Sequence, residues 1–209
     1  MQVKGQELAM HEPRGKYNVG MGYAISEIGA DHLVVAHDSA FAKPDATQLK
    51  AAAPLGITQA LPPRSLGEEK MEMFYILEKW GSLEKVTGFC FFGPAPRSFI
   101  PAEDVLQSIN AATGWNLSMD EALTIGERAT NLARMFNLRE GFPRKDDTLP
   151  ERLFTGLENG ELQGQAMPGD EFAQSPTILY EKKGWNPQTG VPTPEKLRAL
   201  GLEWAIEML

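Results

Sequence analysis

The sequence is poor in the two residue types that most often build metal sites and covalent crosslinks. Its 209 residues include a single cysteine, Cys90, and three histidines, His11, His32 and His37. A lone thiol excludes an internal disulfide, so a reducing cytoplasm is the simplest compartment. A structural zinc site draws about four ligands from Cys and His, and no histidine stands at ligand spacing from Cys90. The sequence therefore indicates neither an internal disulfide nor a structural zinc site as the role of Cys90 and the histidines.

Excess positive charge and long apolar runs are also missing. The net charge of −8 at pH 7 argues against nucleic acid as a partner, because nucleic acid binds to a basic protein face. No apolar run approaches the roughly 20 residues of a membrane-spanning helix. The N-terminus reads MQVKGQELAMHEPRGK and contains no apolar signal-peptide core. We therefore expect a cytoplasmic protein with neither nucleic acid nor a membrane as a partner.

Helical signals dominate the chain and predict a mainly α, multihelical fold with irregular helix packing and long loops. One helix is expected at about 67–80, and another runs from Pro101 to the C-cap glycine Gly114. Ser118 and Glu121 form a capping box at the start of the strongest helix. The apolar stripe of this helix, which we expect to face the core, consists of Ala122, Ile125, Ala129, Leu132 and Phe136.

The remainder of the chain is less regular. Residues 137–176 are irregular and polar, and a last helical section is expected at about 177–184. Thr193 and Pro194 open a final short helix that Gly201 closes.

The residue types alone do not assemble a complete active site. Neither GxGxxG in a strand–turn–helix context nor GxSxG is present. The RKDD run at 144–147 could form a metal or salt-bridge cluster, but a solvated or capping role is favoured because adjacent opposite charges usually pair locally. His32 alone is favoured as a structural histidine. Cys90 alone is favoured as a small buried side chain.

Four stretches of the sequence resemble the C-terminal part of the tungsten-containing aldehyde:ferredoxin oxidoreductases. The family's segment of Pro-Arg, Gly-x-Gly-Tyr-Ala and Gly-Ala-Asp-His-Leu is similar to KGQELAMHEPRGKYNVGMGYAISEIGADHL. The family's Asp-x-x-Gly-Leu-Cys motif falls where this chain has TGFC. Its C-terminal signature and tail resemble the run from INAATGW to LPERLF and the stretch YEKKGWNPQTGVPTPEKLRALGL. The resemblance covers essentially the whole chain.

The resemblance implies a fold, a set of cofactors and a reaction. The family's two C-terminal domains are helical, which predicts a cofactor-facing segment at 1–100 and a C-terminal segment at 101–209, packed as one unit. The family enzyme binds a bis-pterin tungsten (or molybdenum) cofactor and a [4Fe–4S] cluster. It oxidises aldehydes to carboxylic acids and passes the electrons to ferredoxin.

The resemblance also implies roles for individual residues. Cys90 matches the distant fourth cysteine ligand of the cluster, for which thiolates are the usual ligands. His32 matches a histidine beside the tungsten, where it could donate a proton or a hydrogen bond to the reacting carbonyl. Lys85, Gly88 and Phe89 precede the cysteine in the same motif and would lie at the cofactors.

The chain departs from the family pattern in several places. The other three cluster cysteines, the β-rich pterin-binding domain and the family's catalytic glutamate have no counterpart in the sequence. The motif's aspartate is Lys85 here, and its leucine is Phe89. We therefore expect the chain to be incomplete on its own and to need an N-terminal pterin-binding domain or subunit. Two alternatives are a degenerate helical interaction module without a redox cofactor, and a relative that acts on another carbonyl or acyl substrate.

Overall fold

The computed structural model describes residues 1–208 and confirms the mainly α prediction. The helices are α1 (Tyr17–Ile25), α2 (Thr47–Ala52), α3 (Glu68–Thr87), α4 (Ala102–Thr113), α5 (Met119–Arg139), α6 (Gly169–Lys183) and α7 (Pro194–Ala199). Short 3-10 helices lie at Pro13–Gly15, Asp38–Phe41, Ala53–Leu55, Arg144–Asp146, Glu151–Phe154 and Glu203–Met208. Strands β1 (Gln2–Val3) and β2 (Gln6–Glu7) pair antiparallel and form the only sheet within the described residues. In that same range, no helix combines the length and the apolar character needed to cross a membrane.

Helices α3 and α5 pack against each other at the centre of the fold. Their backbones come closest at Gly126 of α5. A Cβ atom on Gly126 would lie 1.9 Å from the carbonyl oxygen of Lys79 and 2.9 Å from the backbone nitrogen of Leu83. No side chain fits in that space, so the two backbones pack directly on each other. Nearby, the hydroxyls of Ser82 and Thr130 are 3.0 Å apart and link the same two helices.

Helix ends that depend on local side-chain chemistry occur where the sequence predicts them. The Ser118 hydroxyl accepts a hydrogen bond from the Glu121 N–H at 3.3 Å, and the Glu121 carboxylate accepts one from the Ser118 N–H at 2.8 Å. Gly114 follows α4 with a φ of 75°. The Thr193 hydroxyl accepts a hydrogen bond from the Lys196 N–H at 3.2 Å at the start of α7. These local predictions are confirmed.

Two helix boundaries differ from the prediction. Helix α3 continues through Gly81 and Ser82 to Thr87 instead of ending near residue 80, because tertiary contacts outweigh the weak helix propensity of these residues. Helix α6 begins at Gly169 instead of near residue 177, and Pro176 lies inside it. Proline removes one helical hydrogen bond, yet α6 continues through Pro176, which is buried.

The buried face of α5 is rotated away from the predicted apolar stripe. Ala122 is buried, but Ile125, Ala129 and Leu132 are only partly buried, and Phe136 is 52% exposed. The buried positions of α5 also include three polar side chains, Glu127, Asn131 and Arg134. Each of them has a hydrogen-bond or ion-pair partner on another segment, namely Tyr75 for Glu127, Trp185 for Asn131 and Asp147 for Arg134, which hydrophobic periodicity cannot reveal.

The largest hydrophobic cluster joins segments that are far apart in the sequence. It includes Val3 and Phe74 from the first half of the chain, and Leu149 and Trp185 from the second half. A smaller cluster lies between α3, α4 and α5, and a third joins α5 to the C-terminal residues. The division at residues 100 and 101 into two segments stays a prediction.

The acidic end of the RKDD run is buried. Asp147 pairs with Lys4 Nζ at 2.6 Å and with Arg134 Nη1 at 2.8 Å, and the Tyr180 hydroxyl donates a hydrogen bond to the same carboxylate. Lys4 also donates to the carbonyl oxygen of Ala24 at 2.7 Å. The sequence favours a solvated or capping role for the RKDD run. This prediction is wrong for Asp147, because it is buried and its partners are distant in the sequence. We call Lys4, Arg134, Asp147 and Tyr180 the buried charge network.

Candidate functional site

The loop that carries His32 follows α1 and lies against the N-terminal hairpin. Gly29 has a φ of 92°, and a Cβ atom there would lie 2.3 Å from the carbonyl oxygen of Val3. Only glycine allows this approach. The Asp31 carboxylate accepts a hydrogen bond from the Leu33 N–H at 2.8 Å. These contacts determine where the half-buried His32 side chain leaves the loop.

The segment that carries His11 is attached to α1 by one tyrosine. The Tyr23 hydroxyl donates to the carbonyl oxygens of Ala9 at 3.3 Å and His11 at 3.1 Å. Burial raises the pKa of Tyr23 to about 12, so the hydroxyl keeps its proton at neutral pH. The N-terminal segment is thereby held beside the His32 loop.

All three histidines of the sequence come together at this place. The ring centroids of His11 and His32 are 4.8 Å apart, those of His11 and His37 are 4.6 Å apart, and those of His32 and His37 are 6.3 Å apart. No group of three or more His, Cys, Asp or Glu side chains between residues 1 and 208 is arranged to hold a metal ion. The three rings are therefore a contact cluster and not a ready metal site.

A lysine determines which ring nitrogen of His37 carries the proton. Lys16 Nζ is 3.2 Å from His37 Nδ1, and an ammonium group can only donate. Nδ1 is therefore the acceptor, and the protonated Nε2 donates to the carbonyl oxygen of His32 at 3.2 Å. Burial, and then the charge of Lys16, lowers the pKa of His37 to about 4. Neutral His37 thus supports the backbone at His32.

Arg97 adds a second fixed cation to this region. Its guanidinium lies 4.7 Å from the Phe91 ring centroid and 4.6 Å from that of Phe92, which restricts its motion. Its charge contributes to the lowered pKa values of His11, Lys16 and His37, after burial and other nearby charges. We call His11, Lys16, His32, His37 and Arg97 the cationic cluster.

Cys90 lies in the loop that follows α3 and is exposed. It is therefore not the small buried side chain that the residue types alone favour. Its carbonyl oxygen accepts a hydrogen bond from the Gly93 N–H at 2.9 Å. The backbone N–H groups of Cys90, Phe91 and Phe92 donate to no backbone carbonyl in the described part of the chain. The thiol is accessible to a partner, and these three N–H groups are not used in backbone hydrogen bonds.

The two residues before Cys90 complete the end of α3. Gly88 has a φ of 80° and donates its N–H to the Lys85 carbonyl oxygen at 3.3 Å, while the Phe89 N–H donates to the Glu84 carbonyl oxygen at 3.0 Å. This is the usual arrangement of a glycine-capped helix end. The N–H groups of Gly88 and Phe89 are thus already used within the helix.

Lys85 is engaged with the His32 loop. Its Nζ lies 3.2 Å from Glu27 Oε1 and 3.6 Å from Asp31 Oδ2, and its side chain is 40% exposed. Burial opposes the charge of Lys85, but attraction from Glu27 and Asp31 outweighs burial and raises its pKa. Lys85 therefore links the end of α3 to the residue next to His32.

The His32 and Cys90 loops meet over α3. A Cβ atom on Gly81 would lie 3.0 Å from the Val34 carbonyl oxygen and 4.0 Å from the Phe91 ring. Sequence reasoning singled out one residue in each loop but missed His11, Lys16, His37 and Arg97 as their neighbours. For His11 and His37, the sequence does contain a signal, because all three histidines lie between residues 11 and 37.

Comparisons with known proteins identify relatives along the whole chain. Residues 1–202 match the family model described as aldehyde ferredoxin oxidoreductase, domains 2 and 3. A tungsten-containing aldehyde ferredoxin oxidoreductase of Pyrococcus abyssi is 33% identical over 205 residues, which are 97% of this chain and 31% of that protein. An aliphatic sulfonate oxidoreductase, WOR-like subunit, of Pyrococcus furiosus is 27% identical over 208 residues, which are 96% of this chain and 27% of that protein. The chain spans about a third of the length of the curated relatives it matches.

One solved structure shares the fold. It is a chain of the active-site complex BamBC of benzoyl coenzyme A reductase in complex with 1,5-dienoyl-CoA. The TM-score is 0.62 at 19% identity, and the alignment covers 97% of this chain and 32% of that chain. At this identity the likeness shows a common fold and nothing about the ligand.

Proposed function

Because the chain belongs to the aldehyde ferredoxin oxidoreductase family, in the part described as domains 2 and 3, we propose that it is the cofactor-contacting C-terminal part of a tungsten pterin enzyme. That enzyme oxidises aldehydes to carboxylic acids and delivers the electrons to ferredoxin. The family match over residues 1–202 carries this proposal. The contact of the His32 and Cys90 loops over Gly81 supports it, because both loops would then face one cofactor region.

An N-terminal pterin-binding domain or subunit is the partner that the proposal requires. Exposed aromatic side chains in the Cys90 loop support such a contact, since Phe92 is 55% exposed and Phe99 is 83% exposed. We expect the chain alone to self-associate through this apolar surface. Light scattering tests this, and a monodisperse monomer would count against the contact.

The residues present fit one ligand of a [4Fe–4S] cluster. Cys90 offers an exposed thiol and neighbouring backbone N–H groups, whereas a cluster needs about four thiolates. The other ligands must come from the partner. The cofactors, when bound, would supply the two-electron oxidation and the electron path to ferredoxin.

His32 is the residue of this chain that we assign to the reacting carbonyl. Its backbone is fixed by His37 and by the packing of Gly29 against the hairpin. An imidazole can hold or donate a proton near neutral pH. In this position His32 would donate a hydrogen bond or a proton to the substrate oxygen.

The assembled enzyme is the material for the main test. We expect purification from the native source to yield tungsten (or molybdenum) and iron with this chain, and activity towards aldehydes. His32→Ala should lower turnover by about 10²-fold or more while metal content and substrate affinity hold. A parallel loss of metal and turnover would instead indicate a structural histidine.

Cys90 has its own test. Cys90→Ser should reduce the iron content of the assembled enzyme and its cluster EPR signal, whereas Ser98→Ala in the same loop should leave both unchanged. The chain alone, reconstituted anaerobically with iron and sulfide, should hold no stoichiometric cluster. Four irons per monomer in that experiment would contradict the shared-ligand assignment.

One observation favours the alternative of a helical module without a redox cofactor. Lys85 replaces the aspartate of the family motif, has no acceptor for pterin N–H groups, and pairs with Glu27 and Asp31. Under the main proposal, pterin contacts at this position are weakened or altered.

Lys85→Asp in the assembled enzyme, with Lys85→Met as its control, tests this through tungsten retention. A marked gain with aspartate alone would indicate an impaired native pterin site. Failure of native preparations to contain any tungsten, molybdenum or iron would favour the module.

A further inference from the structure

The cationic cluster lacks a counter-charge within the described residues. Lys16 and Arg97 each come within ion-pair distance of no carboxylate between residues 1 and 208. Both side chains are partly buried, and burial lowers the pKa of each. The acids next to the three histidines in the sequence, Glu12, Asp31 and Asp38, pair instead with Arg14, Lys85 and Lys70.

The nearest acid behind Lys16 is already committed to other groups. Asp38 accepts hydrogen bonds from the Asn18 N–H at 3.1 and 3.0 Å and from Lys70 Nζ at 3.1 Å. The Asp38 side chain is fully buried, and it holds the start of α1 against α3. It attracts Lys16 from a distance but does not pair with it.

Glu84 is the acid whose charge would attract Arg97, but it does not neutralise Arg97. Glu84 is 2% exposed, and one of its carboxylate oxygens has no hydrogen-bond partner. Burial raises the pKa of Glu84 to about 8, so the carboxyl group is mostly protonated at neutral pH. Arg97 therefore keeps an uncompensated charge, which acts on His11 and His37.

An oxyanion is the ligand that this arrangement would stabilise. Lys16 uses one ammonium donor on His37 and retains two, while the guanidinium of Arg97 offers a planar set of donors. Such donors make strong charge-assisted hydrogen bonds to phosphate, sulfonate and carboxylate groups. The His11 ring lies 4.8 Å from the His32 ring and 4.6 Å from the His37 ring that Lys16 contacts, so His11 and His32 can provide further donors beside Lys16.

We propose that the cationic cluster binds an oxyanion, and that this oxyanion is an anionic group of the carbonyl substrate that reaches His32. The assignment to the substrate rests on the proposed function, whereas the binding of an oxyanion does not. The predicted substrate class is therefore an aldehyde that also carries a carboxylate, sulfonate or phosphate group.

The first experiment uses the chain itself and inorganic phosphate. Because all three histidines belong to the cluster, every imidazole signal in a ¹H–¹⁵N NMR spectrum of the untagged chain reports on it. Phosphate should shift these signals saturably, relative to chloride at matched ionic strength. It should also raise the lowered pKa of His11, because an anion favours the charged imidazolium. Unsaturable or absent shifts would overturn the proposal.

Matched arginine variants identify the donor. Arg97→Met should weaken phosphate binding by about tenfold or more, the effect of losing one charged hydrogen bond, and Arg97→Lys should restore part of it. Arg152→Met, at an exposed arginine, is the control and should bind phosphate like the original chain. Equal weakening by both methionine variants would contradict a specific site.

The second experiment separates the substrate from the cofactor as the source of the oxyanion. In the assembled enzyme, kcat/KM is compared for a carboxylate-bearing aldehyde and an uncharged aldehyde of similar length. Arg97→Met should lower the ratio of the two values by about tenfold. An unchanged ratio together with lost tungsten would overturn the substrate assignment and identify a cofactor phosphate as the ligand. Absence of any aldehyde oxidation would refute the proposed function, while the phosphate titration would still decide the oxyanion site.

Discussion

The buried charge network and the cationic cluster contain similar side chains but differ in their counter-charges. In the network, Lys4 and Arg134 share the carboxylate of Asp147. In the cluster, Lys16 and Arg97 have no carboxylate partner in the described part of the chain. A cation that is neutralised inside the fold stabilises the fold, whereas a cation without a partner is available to a ligand. The same residue type can therefore be structural in one place and functional in another.

The largest expected effect comes from removing the shared carboxylate. Asp147→Ala leaves two cations buried without a counter-charge and should lower the free energy of unfolding by about 3–5 kcal/mol. Urea denaturation measures this. Asp146→Ala, the adjacent position in the same run, is the control and should change stability by less than about 0.5 kcal/mol. Equal effects of the two variants would contradict a specific role for Asp147.

A matched pair of lysine substitutions tests the comparison directly. Lys4→Met removes a buried charged hydrogen bond and should destabilise the chain by about 2–3 kcal/mol. Lys16→Met removes a charge that nothing neutralises and should be neutral or stabilising, within about 0.5 kcal/mol. It should also raise the pKa of His37, which the charge of Lys16 helps to lower. A large loss of stability from Lys16→Met would mean that the cluster is structural.

The protonated carboxyl group of Glu84 gives a pH dependence of known sign. Its pKa is about 8 in the folded state against an ordinary value of 4.5, so the folded chain holds a proton that the unfolded chain has released. Stability should therefore fall as the pH rises from about 4.5 to about 8, by at most about 1.4 kcal/mol per pH unit, and should level off above that range. Glu84→Gln, which mimics the protonated form, should remove this fall.

The measurement needs a suitable pH range and a control. His37 has its pKa lowered from 6.5 to about 4, so it loses stability in the opposite direction, as the pH falls through that range. Unfolding free energies measured between about pH 6.5 and 8 therefore avoid the titration of His37, and the difference in slope between the original chain and Glu84→Gln gives the contribution of Glu84. Glu103→Gln, at an exposed glutamate of α4, should leave the slope unchanged, and an unchanged slope in Glu84→Gln would refute the protonated carboxyl group.

Lys85 is the intermediate case, a paired cation that is partly exposed, and it should show the smallest effect. Lys85→Met removes contacts to Glu27 and Asp31 and should change stability by at most about 1 kcal/mol. Lys85→Asp places a third carboxylate beside these two and should destabilise more. Both effects should diminish at high salt, which screens exposed charges. A larger, salt-independent loss in Lys85→Met would place Lys85 with the buried charge network.

The sequence predicts those parts of the fold that depend on neighbouring residues. The Ser118–Glu121 capping box, the glycine after α4 and the start of α7 all follow from local hydrogen bonds. The mainly α fold follows from periodicity. Phe136 was placed wrongly because the orientation of α5 is determined by the close approach at Gly126, which no pattern within α5 reveals.

The candidate site divides in the same way. Resemblance points to His32 and Cys90, and their roles stay predictions. The surroundings of these residues depend on contacts between distant segments, such as Lys85 with Glu27 and Lys16 with His37. Asp147 shows the same limit, since its partners Lys4 and Arg134 cannot be chosen from a list of charges without the fold.

The largest hydrophobic cluster also has a consequence for biosynthesis. It joins Val3 to Trp185, and chains leave the ribosome from the N-terminus at about 5–20 residues per second. The segment with His32 and Cys90 is therefore translated well before the residues that complete its core. We expect this part of the nascent chain to remain unfolded until Trp185 has emerged, so that the loops for the cofactors take shape only after that point.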